Sequence, residues 1–405
     1  MKFFKAITSL AITFGLVATT NAFTVNSGRH DVTLSTRMST DVASQIDNAS
    51  SATAAGLRED FQVARDQTVG ALKAKLDNPK LEGLLVHFTD EYFAACQKAT
   101  ESGAEDITAA STAKNMLNAL QYGVQFGLKD KFQFSSTHTA LRGNPETENG
   151  NEIDFYKFGC DFFRPAMDLQ RSVVLGQEAL EKIKQQLSNG ENVVLLANHQ
   201  SEADPQVVSC MLEKVGAPDL GADMIYVAGH KVTTDTLAIP FSMGRNLICI
   251  HSKKHIDADP ETKPMKNKQN LAAMNGMLGN LKKGGTAIWV APSGGRDRRD
   301  LETGKVPLAP FDQKTVDMFR LMGNKSKVPT HFYAFSMVSY DLCPPPDFVE
   351  AGTGEQRNVR FVPVGVKFSD ELENIGGVES RHLFTDHAFE ICQQGYEELL
   401  AALEE

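Results

Sequence analysis

The feature that most restricts the fold is an alternation running from residue 177 to residue 368. A helical stretch, "GQEALEKIKQQL", ends at the turn "SNGEN" and feeds the apolar run "VVLLA". A second, "NLAAMNGMLGNLKK", ends at Gly284-Gly285 and feeds "TAIWVAP"; further apolar runs are "NLICI", "HFYAFSMV" and "VRFVPVGVKF". Val193 to Ala197 are too few for a helix and apolar on both sides, which suits a strand covered on both faces. Strands alternating with helices predict an α/β fold with a mostly parallel mixed sheet flanked by helices.

The region before this reads differently. From about Ser51 to Phe132 the pattern is helical, with Leu81, Leu84, Leu85, Phe88, Tyr92 and Cys96 at three- and four-residue spacings on one face. This predicts a small N-terminal helical bundle, residues 49–132, ahead of an α/β domain at 133–405. Residues 1–22, "MKFFKAITSLAITFGLVATTNA", have the basic start, apolar middle and small-residue end of a signal peptide. Residues 23–48 are rich in Ser and Thr, with few acids, as in an organelle transit peptide. No later run reaches the eighteen or more apolar residues of a membrane span, so the mature chain is expected to have no transmembrane segment.

A net charge of −10 argues against nucleic acid as a partner, because a phosphate backbone rewards a basic surface. Between Arg245 and Arg299, however, eleven Lys and Arg face four Asp and Glu, a local excess of seven positive charges. That block is where an anionic ligand or acidic partner is drawn. The six cysteines are widely separated and form no C-x-x-C pair, so neither a zinc ribbon nor a disulfide framework is indicated.

Chemistry is expected at the strand ends. In "VVLLANHQSEADP", His199 follows the strand, and Asp204 with Pro205 reads as the cap and first residue of the next helix. On one helix the two would stand roughly 140° apart, five steps of about 100° each, whereas a turn brings them together. A carboxylate on Nδ1 would fix the His tautomer and leave Nε2 to take a proton from a substrate hydroxyl. The alternative is an Asp204 that only caps its helix. In "APSGGRDRRD" glycines admit close backbone approach, and Arg296 and Arg298 suit a phosphate. The strand "NLICI" runs into Lys253, Lys254 and His255, a second anion-binding candidate. His251 and His255 have H-x3-H spacing, but the lysines between them would repel a cation. No metal and no cofactor is expected. There is no G-x-S-x-G elbow and no Walker A loop.

Taken in order, "NHQSEADP", "PFSMGRNLICI" with "SKKH", "IWVAPSGGRDR" and "HFYAFSMVSYDLCPPP" resemble the four blocks of the soluble, plastid-type glycerol-3-phosphate acyltransferases, within the H-x4-D glycerolipid acyltransferases. The resemblance covers most of the chain from Phe155 to Pro346. It implies acyl transfer from acyl-carrier-protein, or acyl-CoA, to the 1-hydroxyl of glycerol 3-phosphate, giving lysophosphatidic acid. It assigns His199 as general base, Asp204 as its charge partner, and Lys254, His255, Arg296 and Arg298 to the substrate phosphate. Acyl-carrier-protein is acidic, so the basic block offers it a docking surface. "PSGGR" stands where membrane acyltransferases have a "PEGT"-like run, and Ala334 stands where the fourth block commonly has Pro. The signal and transit segments, with Phe23 at their junction, resemble the bipartite presequence of algae with secondary plastids, which implies the plastid stroma. Two other readings stay open: a catalytically inactive lipid- or carrier-binding module, and a phosphate-ester hydrolase.

Overall fold

The apolar run Val193–Ala197 lies in the middle of a sheet. The computed structural model describes residues 56–74, 76, 78–143, 153–252, 256–257, 260–345, 356–376 and 380–404; the expected presequence and the residues Lys254 and His255 fall outside them. Among the described residues the sheet has eight strands: β1 (Thr137–His138), β2 (Val173–Leu175), β3 (Asn192–Ala197), β4 (Ile225–Gly229), β5 (Asn246–Ile250), β6 (Ala287–Val290), β7 (Thr330–Val338) and β8 (Gly365–Glu371). Across the sheet the order is β1, β5, β4, β6, β3, β7, β8, β2. Five neighbouring pairs are parallel, while β1 with β5 and β7 with β8 are antiparallel. This is the mostly parallel mixed sheet that the alternation predicts.

Helices precede and flank it. α1 (Glu59–Lys73), α2 (Pro79–Glu101) and α3 (Ala109–Tyr122) form the N-terminal helical region and end in a π-helical stretch, Gly123–Lys129. Then come α4 (Phe155–Phe163), α5 (Gln177–Ser188), α6 (Asp204–Lys214), α7 (Pro218–Asp223), α8 (Ala238–Met243), α9 (Lys263–Lys283), α10 (Gln313–Ser326) and α11 (His382–Glu404). Asn78 starts α2 by accepting from the Lys80 and Leu81 amides at 3.1 Å, with Pro79 where no N–H is needed. On α2, Leu85, Phe88, Tyr92 and Cys96 are buried as the spacing predicts, and Leu81 and Leu84 are half-buried. Tyr92 stacks on Phe162 of α4 with ring centroids 4.3 Å apart and donates its hydroxyl to the Phe162 carbonyl at 2.9 Å.

Strand alternation sorts the sheet's side chains into two cores. Val193, Leu195, Ala197, Trp289, Phe335 and Met337 pack with Phe162, Ile183 and Val207 on one face. Val194, Leu196, Ile288 and Val290 pack with Met277, Phe319 and Phe384 on the other. None of the five apolar side chains of β3 is more than 1 % exposed. Full burial contributes about 1.5–3 kcal/mol for each large one, so the position of β3 is strongly fixed. Gly176, between β2 and α5, has φ +76°, and a Cβ there would stand 2.0 Å from the Phe368 carbonyl oxygen, so only glycine fits. The run "VRFVPVGVKF" becomes strand only at Gly365. Pro363 has no N–H to give a ladder, which accounts for the late start. At Ala334 the β7–β8 register is irregular and its N–H donates to Ser369 Oγ at 2.9 Å.

Candidate active site

β3 ends at Ala197, and α6 begins after six intervening residues. Asp204 proves to be the first helical residue rather than the cap; the cap position belongs to Ala203, which has no side chain to offer. The Asp204 carboxylate therefore turns back into the loop. Its Oδ2 lies 2.8 Å from His199 Nδ1 and accepts from the Gln200 amide at 2.8 Å. Its Oδ1 accepts from the Ser201 amide and hydroxyl, both at 3.1 Å, and from the Ser339 hydroxyl at 2.7 Å.

Asp204 is fully buried, whereas the His199 side chain is 28 % exposed. Burial alone would push the Asp204 carboxyl up, but hydrogen bonds from His199, Ser339 and the Gln200 amide hold it below its ordinary range. An ionised carboxylate can only accept, so the proton of the shared bond resides on His199 Nδ1, and Nε2 is the basic nitrogen. The Trp289 ring meets His199 edge to face at 5.9 Å.

Loops from the two strands beside β3 are sewn to it. After β7, Ser339 and Tyr340 donate their amides to Gln200 Oε1 at 2.7 and 3.0 Å. Asn198 joins Met337 through both ends of its amide, at 3.0 and 2.8 Å. After β6, the Asp297 amide donates to the His199 carbonyl at 2.6 Å. Asp297 Oδ2 accepts from Asn198 at 3.2 Å, and its Oδ1 accepts from the Ala309 amide at 2.8 Å. Burial, with a contribution from the Asp204 charge, pushes this carboxyl up to about 6.

Arg296 and Arg298 flank Asp297, so the same contact brings their loop to His199. Arg296 Nη1 lies 3.7 Å from Glu202 Oε1, inside the H-x4-D loop, and Arg298 is exposed. Glu202 also accepts from Arg357 Nε at 3.0 Å, and Arg357 reaches on to Asp235 at 2.8 Å. Burial opposes the charge on Arg357, and the two carboxylates more than restore it. Sequence reasoning passed over Asn198, Gln200, Glu202, Asp297, Ser339 and Arg357. Five of these stand inside the quoted motifs, where their polarity was the available signal; Arg357 carried none. With a tethered base beside a loop rich in arginine, the geometry can deprotonate a hydroxyl on a small anionic molecule.

The stretch from Val173 to Met337, which contains the loops after β3 and β6 and ends within β7, matches the family model described as Acyltransferase. The chain is 38 % identical over 285 residues to a chloroplastic glycerol-3-phosphate acyltransferase of Arabidopsis thaliana, covering 68 % of this chain and 60 % of that one. A chloroplastic glycerol-3-phosphate acyltransferase of Cucurbita moschata, ATS11, is 37 % identical over 319 residues, covering 77 % of this chain and 68 % of its own length. The chain belongs to the chloroplastic glycerol-3-phosphate acyltransferase family. A Spinacia oleracea glycerol-3-phosphate acyltransferase is 35 % identical over 311 residues, with 62 % of its length matched. The chain thus spans 60 to 68 % of the length of these acyltransferases.

Proposed function

We propose that the protein transfers an acyl chain from acyl-carrier-protein to the 1-hydroxyl of glycerol 3-phosphate, giving lysophosphatidic acid. The observation that carries this reading is the 2.8 Å contact between half-exposed His199 and fully buried Asp204, beside the Arg296–Arg298 loop. His199 Nε2 takes the hydroxyl proton as that oxygen attacks the thioester carbonyl; the C–S bond breaks, and the carrier thiol leaves with the proton. Asp204 stabilises the imidazolium formed on the way. Arg296 and Arg298, with Lys254 and His255, hold the phosphate so that one hydroxyl faces the base, which is catalysis by orientation. Residues 1–48 act in this reading as a two-part import sequence to the plastid stroma, and the basic block around Arg245 to Arg299 meets the acidic carrier.

The test is turnover of acyl-carrier-protein thioester with glycerol 3-phosphate by wild type and His199→Ala, with acyl-CoA run in parallel. Product from wild type and none from a folded mutant that still binds glycerol 3-phosphate supports the reading. No product from wild type with either thioester overturns it. Turnover with acyl-CoA alone replaces the proposed donor.

A further inference from the structure

The groups that the proposed reaction needs stand on different loops: the base, His199, follows β3, while Arg296 and Arg298 follow β6. Glycerol 3-phosphate carries hydroxyls on neighbouring carbons, whose distances from the phosphate differ by one carbon–carbon bond. Choosing one of them requires a fixed offset between base and arginines, since a misplacement of about 1 Å is worth on the order of a hundredfold in rate.

The chain leading into the arginines does not supply that offset. No atom beyond the adjoining residues lies within 4 Å of where a Cβ would stand on Gly294 or Gly295, so this approach is unpacked. After Pro292, the first buried residue is Asp297, 1 % exposed, between half-buried Arg296 and exposed Arg298. Its amide donates to the His199 carbonyl at 2.6 Å. Its Oδ2 accepts from Asn198 Nδ2 at 3.2 Å and its Oδ1 from the Ala309 amide at 2.8 Å. Asn198 is itself fixed, because its Nδ2 also donates to the Met337 carbonyl at 3.0 Å and its Oδ1 accepts from the Met337 amide at 2.8 Å. One residue thus joins the arginine pair to the base's own carbonyl and, through Asn198, to β7. Both donors to the carboxylate are neutral amides, and an apolar side chain would be easier to bury there. What the carboxylate adds is a pair of bonds that hold separate segments in one arrangement.

We propose that Asp297 is a positioning residue that sets the offset between His199 and the phosphate-gripping arginines, and so decides which hydroxyl of glycerol 3-phosphate is acylated. The assignment rests on the acyl-transfer reading above and adds no chemical step to it: Asp297 neither gives nor takes a proton. It acts through His199 on one side and through Arg296 and Arg298 on the other. Asp297→Asn isolates this role. An amide has one acceptor oxygen, and Asn198 is held by Met337 and cannot turn to accept. One of the two side-chain bonds therefore becomes a donor-to-donor contact, while both arginines and the backbone bond to His199 remain.

The experiment compares full-length wild type and Asp297→Asn with acyl-carrier-protein thioester and with acyl-CoA. Products are quenched in acid within seconds, before the acyl group migrates between neighbouring hydroxyls, and the 1-acyl and 2-acyl isomers are separated. Calorimetry on the same preparations gives the Kd for glycerol 3-phosphate. Wild type is expected to make the 1-acyl isomer. The variant is expected to keep the wild-type Kd, to lose on the order of a hundredfold in kcat, and to raise the ratio of 2-acyl to 1-acyl product about tenfold. The ratio is taken within one preparation, so a smaller folded fraction leaves it unmoved. If Asp297→Asn does not fold, Asp297→Ala, which removes both bonds without the donor contact, is read in the same way. An isomer ratio equal to wild type, a loss confined to Kd, or failure of both variants to fold overturns the assignment alone. No product from wild type with either thioester overturns the acyl-transfer reading together with it.

Discussion

Replacing Asp204 with Asn changes the shape of the site hardly at all and removes the charge that faces His199. In the proposed reaction, the imidazolium formed as the hydroxyl gives up its proton has its charge centre about 4 Å from that of the carboxylate. At an effective dielectric near 20, two unit charges at that separation attract by about 4 kcal/mol. Losing that attraction predicts a fall in kcat of about a thousandfold, since each 1.36 kcal/mol is a factor of ten. The tautomer adds to the effect. With the amide oxygen at the Oδ1 position, which serves three donors, the NH2 group faces His199 Nδ1 and drives the ring proton to Nε2, where the base is needed. The NH2 group then also meets the Gln200 amide, a buried donor-to-donor contact that costs about 1–3 kcal/mol of stability. The assay is thioester consumption at saturating glycerol 3-phosphate, with urea unfolding and calorimetric binding of glycerol 3-phosphate on the same preparation. A folded Asp204→Asn protein that keeps more than a tenth of wild-type kcat refutes the reasoning. So does a loss that resides wholly in glycerol 3-phosphate affinity.

Asp297, pushed up to about 6 in the fold, titrates near 3.9 when unfolded. Between those values the folded state binds the extra proton, so stability falls as pH rises from about 4 to about 6, by about 3 kcal/mol, and is level above. In urea unfolding across that range, Asp297→Asn should flatten the segment; a constant offset from wild type contradicts the assignment. Arg357→Met strips two nearly buried carboxylates of their shared partner and is expected to cost about 3 kcal/mol, while Arg357→Lys recovers only part. A chemical-denaturation loss below about 1 kcal/mol would mean the network is solvated. In the proposed reaction Arg298→Ala removes a charge-assisted phosphate contact worth about 1.5–3 kcal/mol and should raise the KM for glycerol 3-phosphate roughly ten- to hundredfold. An unchanged KM removes Arg298 from the clamp.

The strands that could be read from the sequence are those with long apolar runs after glycine turns. β3 and β6 are buried on both faces, so no polar residue breaks their pattern. β4 was not legible, because "IYVAG" is short and enters without a glycine turn, and β1 and β2 are two- and three-residue pieces defined by their pairing partners. At the site, His199, Asp204 and the arginines were legible because each lies within a single contiguous loop. The direction of the Asp204 carboxylate was not, since a cap and a charge partner use the same residue at the same spacing. Ser339 stands 135 positions from Asp204 along the chain, and Arg357 stands 155 from Glu202. Ser339 lies in the fourth quoted block and Arg357 in none, but nothing local in either stretch names a partner so far away, and only the fold reveals it.

That order also explains how labour is divided around the site. β3 lies between β6 and β7, so the loops leaving all three parallel strands emerge side by side on one edge. The His199–Asp204 pair is braced from the β7 side by Ser339 and from the β6 side by Asp297. β5, which precedes Lys254 and His255 in the sequence, stands three strands from β3, about 14 Å at the usual spacing of about 4.8 Å. The β6 loop with Arg296 and Arg298 lies between. In the proposed reaction, glycerol 3-phosphate accordingly lies across the β6 loop, its phosphate towards β5 and its reacting hydroxyl towards β3. Arg296, 3.7 Å from Glu202 in the loop that follows β3, then stands at the β3 end of that span. Residues on the β5 side should therefore govern substrate affinity, and those on the β7 side the rate of the chemical step.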